Sequence, residues 1–290
     1  MIKKFLLVIL TILVLATLRF TYPLIYQLFV SQELESTITK PKVVAHRGFS
    51  GYTPENTIPA IKKALELGVD IIEIDVHLSK DGIPVILHDF DLDRTTNATG
   101  PVINYTFEEL RTFRILGADG IPTDETIPSL NEILKLINGQ TECTIELKWN
   151  DMGYYPGMSE KIVTAIKEAN GESWCYVHSY SGKYLEEIHE LNPELRLVKA
   201  FIGMWHSPIF NFYYDTQFHW GRYYPPQYLY AVLPYYKTLT KSQVNAWQDL
   251  NIEVWSYTIN EKESMKTQMN LGVDAIVTDY PDRYKELLAD

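Results

Sequence analysis

Between residues 42 and 100 the pattern of apolar and polar positions changes period repeatedly. Residues 42–45 form a short apolar run that predicts a strand, with His46 and Arg47 delivered at its tip. Pro54-Glu55-Asn56-Thr57 then opens an amphipathic helix to about Leu67, which Gly68 stops. Residues 70–77 return to a period of two. Glu73, Asp75 and His77 share one face, and Ile72, Ile74 and Val76 the other. Asp81-Gly82 is a strong hairpin signal, because a two-residue type I′ turn needs positive φ at both central positions. With those two as the loop, Lys80 faces Ile83, and Asp75 lies across from His88 on a shared face.

Six more strands are predicted downstream, at 143–148, 174–180, 196–201, 230–235, 253–259 and 275–278. Helical spacing or an insertion separates each from the next. Thr106 with Glu109, and Ser129 before an apolar run to Ile137, read as helix starts. Together with the two leading strands this makes eight, provided the segment ending at His88 is only the return arm of a hairpin. Such alternation predicts a parallel α/β barrel, which at about 250 residues occupies most of a 290-residue chain as one domain.

Two stretches break the pattern. Residues 1–30 hold Lys3 and Lys4, an apolar run from Phe5 to Leu18, Arg19, and a second apolar run from Phe20 to Val30. Joined, the runs reach about 25 residues, enough to span a bilayer with some tilt. This predicts an uncleaved transmembrane signal anchor, followed by a polar tether over 31–41. A cleaved signal or a peripheral helix are the other readings, and Arg19 is the feature that keeps them open. With Lys3 and Lys4 before the span and Glu33 and Glu35 after it, the positive-inside rule predicts a single-pass cell-membrane protein with an extracytoplasmic catalytic domain. The second stretch, about 201–229, is an insertion dense in Tyr, Phe and Trp; packing, stacking on a substrate and contact with a membrane interface all suit it. A smaller irregular insertion occupies about 97–126.

Composition adds two constraints. Hydrophobic residues make up 46% of the chain, ample for a core of this size. The formal net charge of −11, with no offsetting Lys/Arg cluster, excludes nucleic acid as a natural partner. It also repels an anionic substrate, so any attraction must be local.

The chemistry lies in the gathered polar residues. Glu73, Asp75, His46, His88 and Arg47 converge as no core strand requires, and as phosphate-ester chemistry does. Glu146 stands on the apolar strand Cys-Thr-Ile-Glu-Leu-Lys with Lys148 on the same face. Glu73, Asp75 and Glu146 supply three hard oxygen ligands, which suits Mg²⁺ or Ca²⁺. His46 and His88 form the expected acid–base pair, with the roles of acid and base left open. His77, deeper on its strand, is expected to be a packed histidine. Cys143 and Cys175 are expected on opposite sides of neighbouring strands, taking Ser179 as inward, and so unbridged.

These pieces resemble the glycerophosphodiester phosphodiesterase family. The matching residues are His46-Arg47-Gly48, Pro54-Glu55-Asn56-Thr57, Glu73-x-Asp75, Lys80-Asp81-Gly82, His88-Asp89 and Leu92-x-Arg94-Thr95-Thr96, followed by the strand at Glu146-x-Lys148 and closing strands at 255–260 and 272–279. The resemblance spans about 42–285 and is poor over 200–236. It implies a (β/α)8 TIM barrel of the phospholipase-C-like phosphodiesterase type over 42–290, and hydrolysis of glycerophosphodiesters to glycerol 3-phosphate and an alcohol. It further implies catalytic roles for His46 and His88, and substrate contacts from Arg47, Lys148 and Trp255. A lysophospholipase D acting on lysolipids and a catalytically inactive binding barrel are the alternatives.

Overall fold

A computed structural model describes residues 40–149, 153–206 and 211–289. The chain runs through β1 (Lys42–Ala45), α1 (Ile58–Leu67), β2 (Ile71–Leu78), β3 (Pro84–Ile86), α2 (Phe107–Leu110), α3 (Leu130–Ile137) and β4 (Glu142–Leu147). It continues with α4 (Met158–Glu168), β5 (Cys175–Ser179), α5 (Gly182–Leu191), β6 (Arg196–Phe201), β7 (Gly203–His206), β8 (Asn211–Tyr214) and β9 (Phe218–Trp220). The last elements are β10 (Leu229–Pro234), α6 (Lys241–Gln248), β11 (Glu253–Ser256), α7 (Lys262–Leu271), β12 (Ala275–Thr278) and α8 (Pro281–Ala289).

Eight parallel strands, in the order β1-β12-β11-β10-β6-β5-β4-β2, close into a barrel because β1 pairs with both β12 and β2. The all-buried pattern of β2 follows from its position between helices and barrel lumen. Ile72, Ile74 and Val76 pack outward against the helices, whereas Ile71 joins Val44, Tyr176, Val198 and Trp255 inside the barrel. The helices begin as their sequences dictate: Thr106, Ser129 and Thr240 each cap through the side chain in a complete capping box.

The N-terminal end of the barrel is sealed by charge pairing. Arg196 binds Glu142 at 2.6 Å and the Tyr176 hydroxyl at 2.6 Å, while Glu253 accepts from Tyr230 at 2.7 Å and from the Trp255 indole at 2.8 Å. The opposite end is left for the site, as in barrels generally.

Three local expectations are corrected. The register Val76↔Ile86, His77↔Val85 and Leu78↔Pro84 leaves the five residues 79–83 between the strands, so Asp75 falls opposite Leu87 rather than His88. Only Gly82 of the Asp81-Gly82 pair has positive φ (76°), and its N–H closes the turn on the Ser79 carbonyl at 2.9 Å. Asp81 is instead spent on local capping, accepting from the Ser79 hydroxyl and the Phe107 N–H. Cys143 and Cys175 are direct register partners buried in the same outer layer, not on opposite sides, and both thiols are free. The phase error is one residue: His178, not Ser179, faces the lumen.

Strands β7, β8 and β9 form a separate antiparallel sheet, which begins just past the C-terminal end of β6. Residues 97–126 fold over a small core of their own, in which Leu92, Val102, Leu110 and Ile115 meet Val85 and Leu87. The expected anchor over 1–30 lies outside the described residues. Among the described residues no helix is long and apolar enough to cross a membrane.

Candidate active site

At the C-terminal mouth of the barrel lies a cavity of about 470 Å³ whose lining includes His46, Arg47, Glu73, His88, Glu146 and Lys148. Six residues expected from sequence therefore meet in one space. Asp75 sits immediately behind them, fully buried.

The turn after β1 puts two of these groups in place. Arg47 adopts a left-handed conformation (φ 56°), which costs a non-glycine residue strain and which its surroundings hold. Its N–H donates to Glu73 Oε2 at 2.7 Å, and its carbonyl accepts from the Asn56 N–H at 3.0 Å. Gly48 follows at φ 77°, where a Cβ would meet the Ala60 backbone at 2.8 Å; only glycine lets α1 approach this closely.

His46 is oriented from the last strand. Its Nδ1 lies 2.6 Å from Asp279 Oδ1, and Asp279 also accepts from Asn260 at 2.6 Å and Ser50 at 3.0 Å. Burial would raise the Asp279 pKa, but its bond to His46 and those from Asn260 and Ser50 bring it down to about 2. A carboxylate can only accept, so Nδ1 carries the proton and Nε2 is the atom left for chemistry.

His88 repeats the arrangement with other parts. Its Nδ1 lies 2.6 Å from Asp89 Oδ1, and Arg94 holds Asp89 at 2.5 Å while clamping Glu55 at 2.6 and 2.9 Å. Glu55 in turn accepts from Arg47 at 2.9 Å. His88 reaches the mouth although no cross-strand pair delivers it, because β3 ends at Ile86 and His77 Nε2 donates to the His88 carbonyl at 3.1 Å. His77 is thus a tether; burial pushes its pKa down to about 4 and keeps it neutral. Burial also lowers the His88 pKa; Asp75 opposes this, while Lys148 and Arg47 add to it.

Three carboxylates share the centre. Asp75 is fully engaged: Lys148 lies 2.9 Å from Oδ1, and Asn56 donates to Oδ2 at 2.8 Å with Arg47 Nε at 3.3 Å. Burial would raise its pKa, yet Lys148, His88 and Arg47 hold it well below the usual range. Glu146 lies 2.7 Å from Lys148 and 3.3 Å from His178 Nε2; burial would raise its pKa, but the Lys148 charge and the hydrogen bond from His178 bring it to about 2. Glu73 is the exception. Burial, then the charges of Asp75 and Glu146, push its pKa well up; its Oε1, like Asp75 Oδ1 and Glu146 Oε1, accepts no hydrogen bond, but those two face the Lys148 ammonium and Glu73 does not. A buried orphan oxygen beside two ionised carboxylates calls for a cation. Donor atoms of Glu73, Glu146 and His178 all lie within 4.8 Å of one another, so the residues present fit a divalent ion.

Trp255 does not reach this cavity. It is buried in the barrel interior against Tyr176 (ring centroids 5.0 Å apart), and Tyr257, two residues on, lines the cavity instead. Sequence reasoning missed His178 altogether. The signal was the alternation in Tyr176-Val177-His178, whose phase places Tyr176 and His178 together on the lumen side.

Residues 46–283 match the model of the glycerophosphoryl diester phosphodiesterase family. A glycerophosphodiester phosphodiesterase from Caldanaerobacter subterraneus subsp. tengcongensis is 33% identical over 249 residues, covering 84% of this chain and 96% of the relative. One from Bacillus altitudinis is 37% identical, covering 83% and 96%. Among solved structures, one from Silicibacter pomeroyi superposes with a TM-score of 0.75 at 26% identity, covering 89% of this chain and 96% of the other. An Oleispira antarctica phosphodiesterase in complex with the product sn-glycerol-3-phosphate gives a TM-score of 0.69 at 26% identity, covering 86% and 97%.

The elevated Glu73 pKa has a signed consequence. A carboxyl that binds its proton more tightly folded than unfolded contributes stability below its unfolded pKa and loses it as pH rises through the folded value. In EDTA the wild-type melting temperature should therefore fall as pH rises from about 5 to 8, and Glu73→Gln should flatten that fall. At neutral pH the variant should melt higher by roughly 3 °C or more, about 1 kcal/mol for a domain of this size. A saturating divalent cation should raise the melting temperature of wild type and leave Glu73→Gln unmoved. Equal pH profiles for the two proteins in EDTA would remove Glu73 as the uncompensated charge.

Proposed function

Because the chain belongs to the glycerophosphoryl diester phosphodiesterase family, we propose that its barrel mouth hydrolyses glycerophosphodiesters to glycerol 3-phosphate and an alcohol by His46/His88 acid–base catalysis beside a bound divalent cation. The enzyme is a phosphoric diester hydrolase, a glycerophosphodiester phosphodiesterase. The observation that carries the mechanism is that two imidazoles line one cavity, each with its Nδ1 engaged by a carboxylate and its Nε2 free for proton transfer.

In the net hydrolysis one imidazole accepts a proton of the attacking water as the water oxygen bonds to phosphorus. The other donates a proton to the departing alkoxide as the second P–O bond breaks, so charge never accumulates on either oxygen. Arg47 and Lys148 face the cavity as the cations suited to the non-bridging oxygens. Glu73, Asp75 and Glu146 would hold the divalent ion, Mg²⁺ or Ca²⁺ by their oxygen donors, and the ion supplies Lewis-acid neutralisation of the phosphate. His46→Ala and His88→Ala should each lower kcat on glycerophosphocholine by about 10²-fold or more with little change in KM. EDTA should abolish wild-type turnover. A kcat undiminished in either alanine variant would end the two-histidine reading, and turnover undiminished by chelation would end the metal reading.

A second substrate class is favoured by β7-β8-β9. Their register aligns Trp205, Phe212 and Trp220 in one row and Gly203, Tyr214 and Phe218 in the next, all on one face. Trp220 is 75% and Phe218 50% exposed, and Ile202, at the root of this sheet, lines the cavity. An apolar surface running up to the site suits a lysolipid as the alcohol side. Trp220→Ala should then lower kcat/KM on lysophosphatidylcholine relative to glycerophosphocholine; an unchanged ratio leaves the sheet as packing.

The apolar residues 5–30, with Lys3 and Lys4 before them, support a single-pass anchor that leaves the barrel on the extracytoplasmic side of the cell membrane. Protease added to intact cells should digest the barrel. Digestion confined to inverted vesicles would reverse the orientation, and barrel free in the medium would mean cleavage.

A further inference from the structure

Most polar clusters outside the mouth are internally satisfied. The floor of the barrel is a closed set of ion pairs around Glu142 and Arg196, and the buried Lys199 is paired with Asp215 at 2.8 Å. His178 is different: it is a buried imidazole at the mouth to which the proposed acid–base reaction gives no part.

We propose that His178 is a nitrogen ligand of the divalent cation at the barrel mouth, which turns the preference of this chain toward first-row transition ions such as Mn²⁺ over Ca²⁺ and Mg²⁺. The inference rests on the metal reading above and adds to it the identity of a donor and the class of ion. His178 is 2% exposed, and its ring is fixed from both sides. Nδ1 lies 3.0 Å from Thr144 Oγ1 on β4, two residues before Glu146 and on the same face. That contact leaves Nε2 directed at the carboxylates, 3.3 Å from Glu146 Oε2 and 4.0 Å from Glu73 Oε1. Atoms bound at about 2.1 Å to one ion, at angles near 90–110°, stand roughly 3.0–3.4 Å apart, so little adjustment separates these three from a shared centre.

The neighbouring carboxylate offers a contrast. Both Asp75 oxygens are occupied by Lys148, Asn56 and Arg47, and it must surrender a partner to ligate. Glu73 Oε1 and His178 Nε2 surrender only the contact to Glu146. The Thr144 hydroxyl does for His178 what outer partners of metal-bound histidines do, holding the ring so that the other nitrogen meets the ion. A site of carboxylates alone suits hard ions, whereas an imidazole donor strengthens binding along the series from Mn²⁺ toward Zn²⁺. The competing account is a histidine that merely donates Nε2–H to Glu146.

Pulsed electron paramagnetic resonance on the detergent-solubilised full chain loaded with Mn²⁺ separates the two. A directly bound imidazole gives ¹⁴N modulation, and His178→Gln should abolish it while Mn²⁺ stays bound with affinity about tenfold weaker. Calorimetry should show Ca²⁺ affinity moved far less than Mn²⁺ affinity by the same substitution. Bound Mn²⁺ without nitrogen modulation in the wild type overturns the proposal and leaves the metal reading standing, whether or not the variant folds. Modulation that persists in a folded His178→Gln protein assigns the nitrogen to another histidine and also overturns it. A wild-type chain that binds no Mn²⁺, Mg²⁺ or Ca²⁺ takes the metal reading down as well.

Discussion

Three carboxylates buried at one end of one barrel are the constraint around which this molecule is arranged. Glu73 and Asp75 stand two apart on β2, and the register Asp75↔Glu146 brings β4's carboxylate beside them. Burial and mutual repulsion both oppose ionisation of such a group. Lys148, Arg47 and Asn56 answer for Asp75, and Lys148 with His178 for Glu146. Glu73 receives one backbone N–H and nothing on its other oxygen. Of the three, Glu73 alone has no lysine in ion-pair contact, and a binding site is expected to carry its strain at such a point. The left-handed Arg47 belongs to the same arrangement, because its peptide N–H is the donor that Glu73 does have.

The histidines depend on the fold at longer range. His46 follows β1 and its carboxylate partner follows β12, so their 2.6 Å contact exists only because those strands pair and close the barrel. His88 is placed by a relay through Asp89, Arg94, Glu55 and Arg47 that links residues 39 and more positions apart. Arg47 therefore touches both systems, since it binds Glu55 on one side and Asp75 on the other. Disturbing the turn after β1 displaces an imidazole and a guanidinium of the cavity lining together.

Much of this was legible along the chain, and the failures have physical causes. Strand positions and the inward face of β2 follow from a period of two, which a barrel strand displays plainly when carboxylates interrupt isoleucines. The hairpin failed because Asp81 can serve a turn either through its backbone or through its side chain, and here the side chain caps Phe107. His178 was passed over because His and Ser are adjacent and either could face the lumen; only pairing with Thr144 and Glu146 fixes the phase. The substrate contact for Trp255 comes from the family resemblance alone, and an aromatic late in a barrel strand suits either depth. Its indole finds Glu253 at the floor, and the depth is set by that bond.

Net charge poses the remaining question, because a chain at −11 must attract an anionic diester. The answer lies in how the acidic side chains near the mouth are already committed. Asp89 and Glu55 are both engaged by Arg94, with Arg47 also on Glu55, and Asp279 faces His46, while Asp75 and Glu146 share Lys148. Charges beyond about 8–10 Å are screened at physiological salt, so what an approaching phosphate feels is the first layer of the cavity. That layer presents Arg47, Lys148 and four imidazoles, those of His46, His77, His88 and His178. Only Glu73 adds a carboxylate to it without a side-chain counter-charge in hydrogen-bonding contact, and a cation bound there reverses that sign. The acidic chain and the phosphate-facing mouth are compatible because each of these carboxylates except Glu73 has a lysine, arginine or histidine side chain in hydrogen-bonding contact.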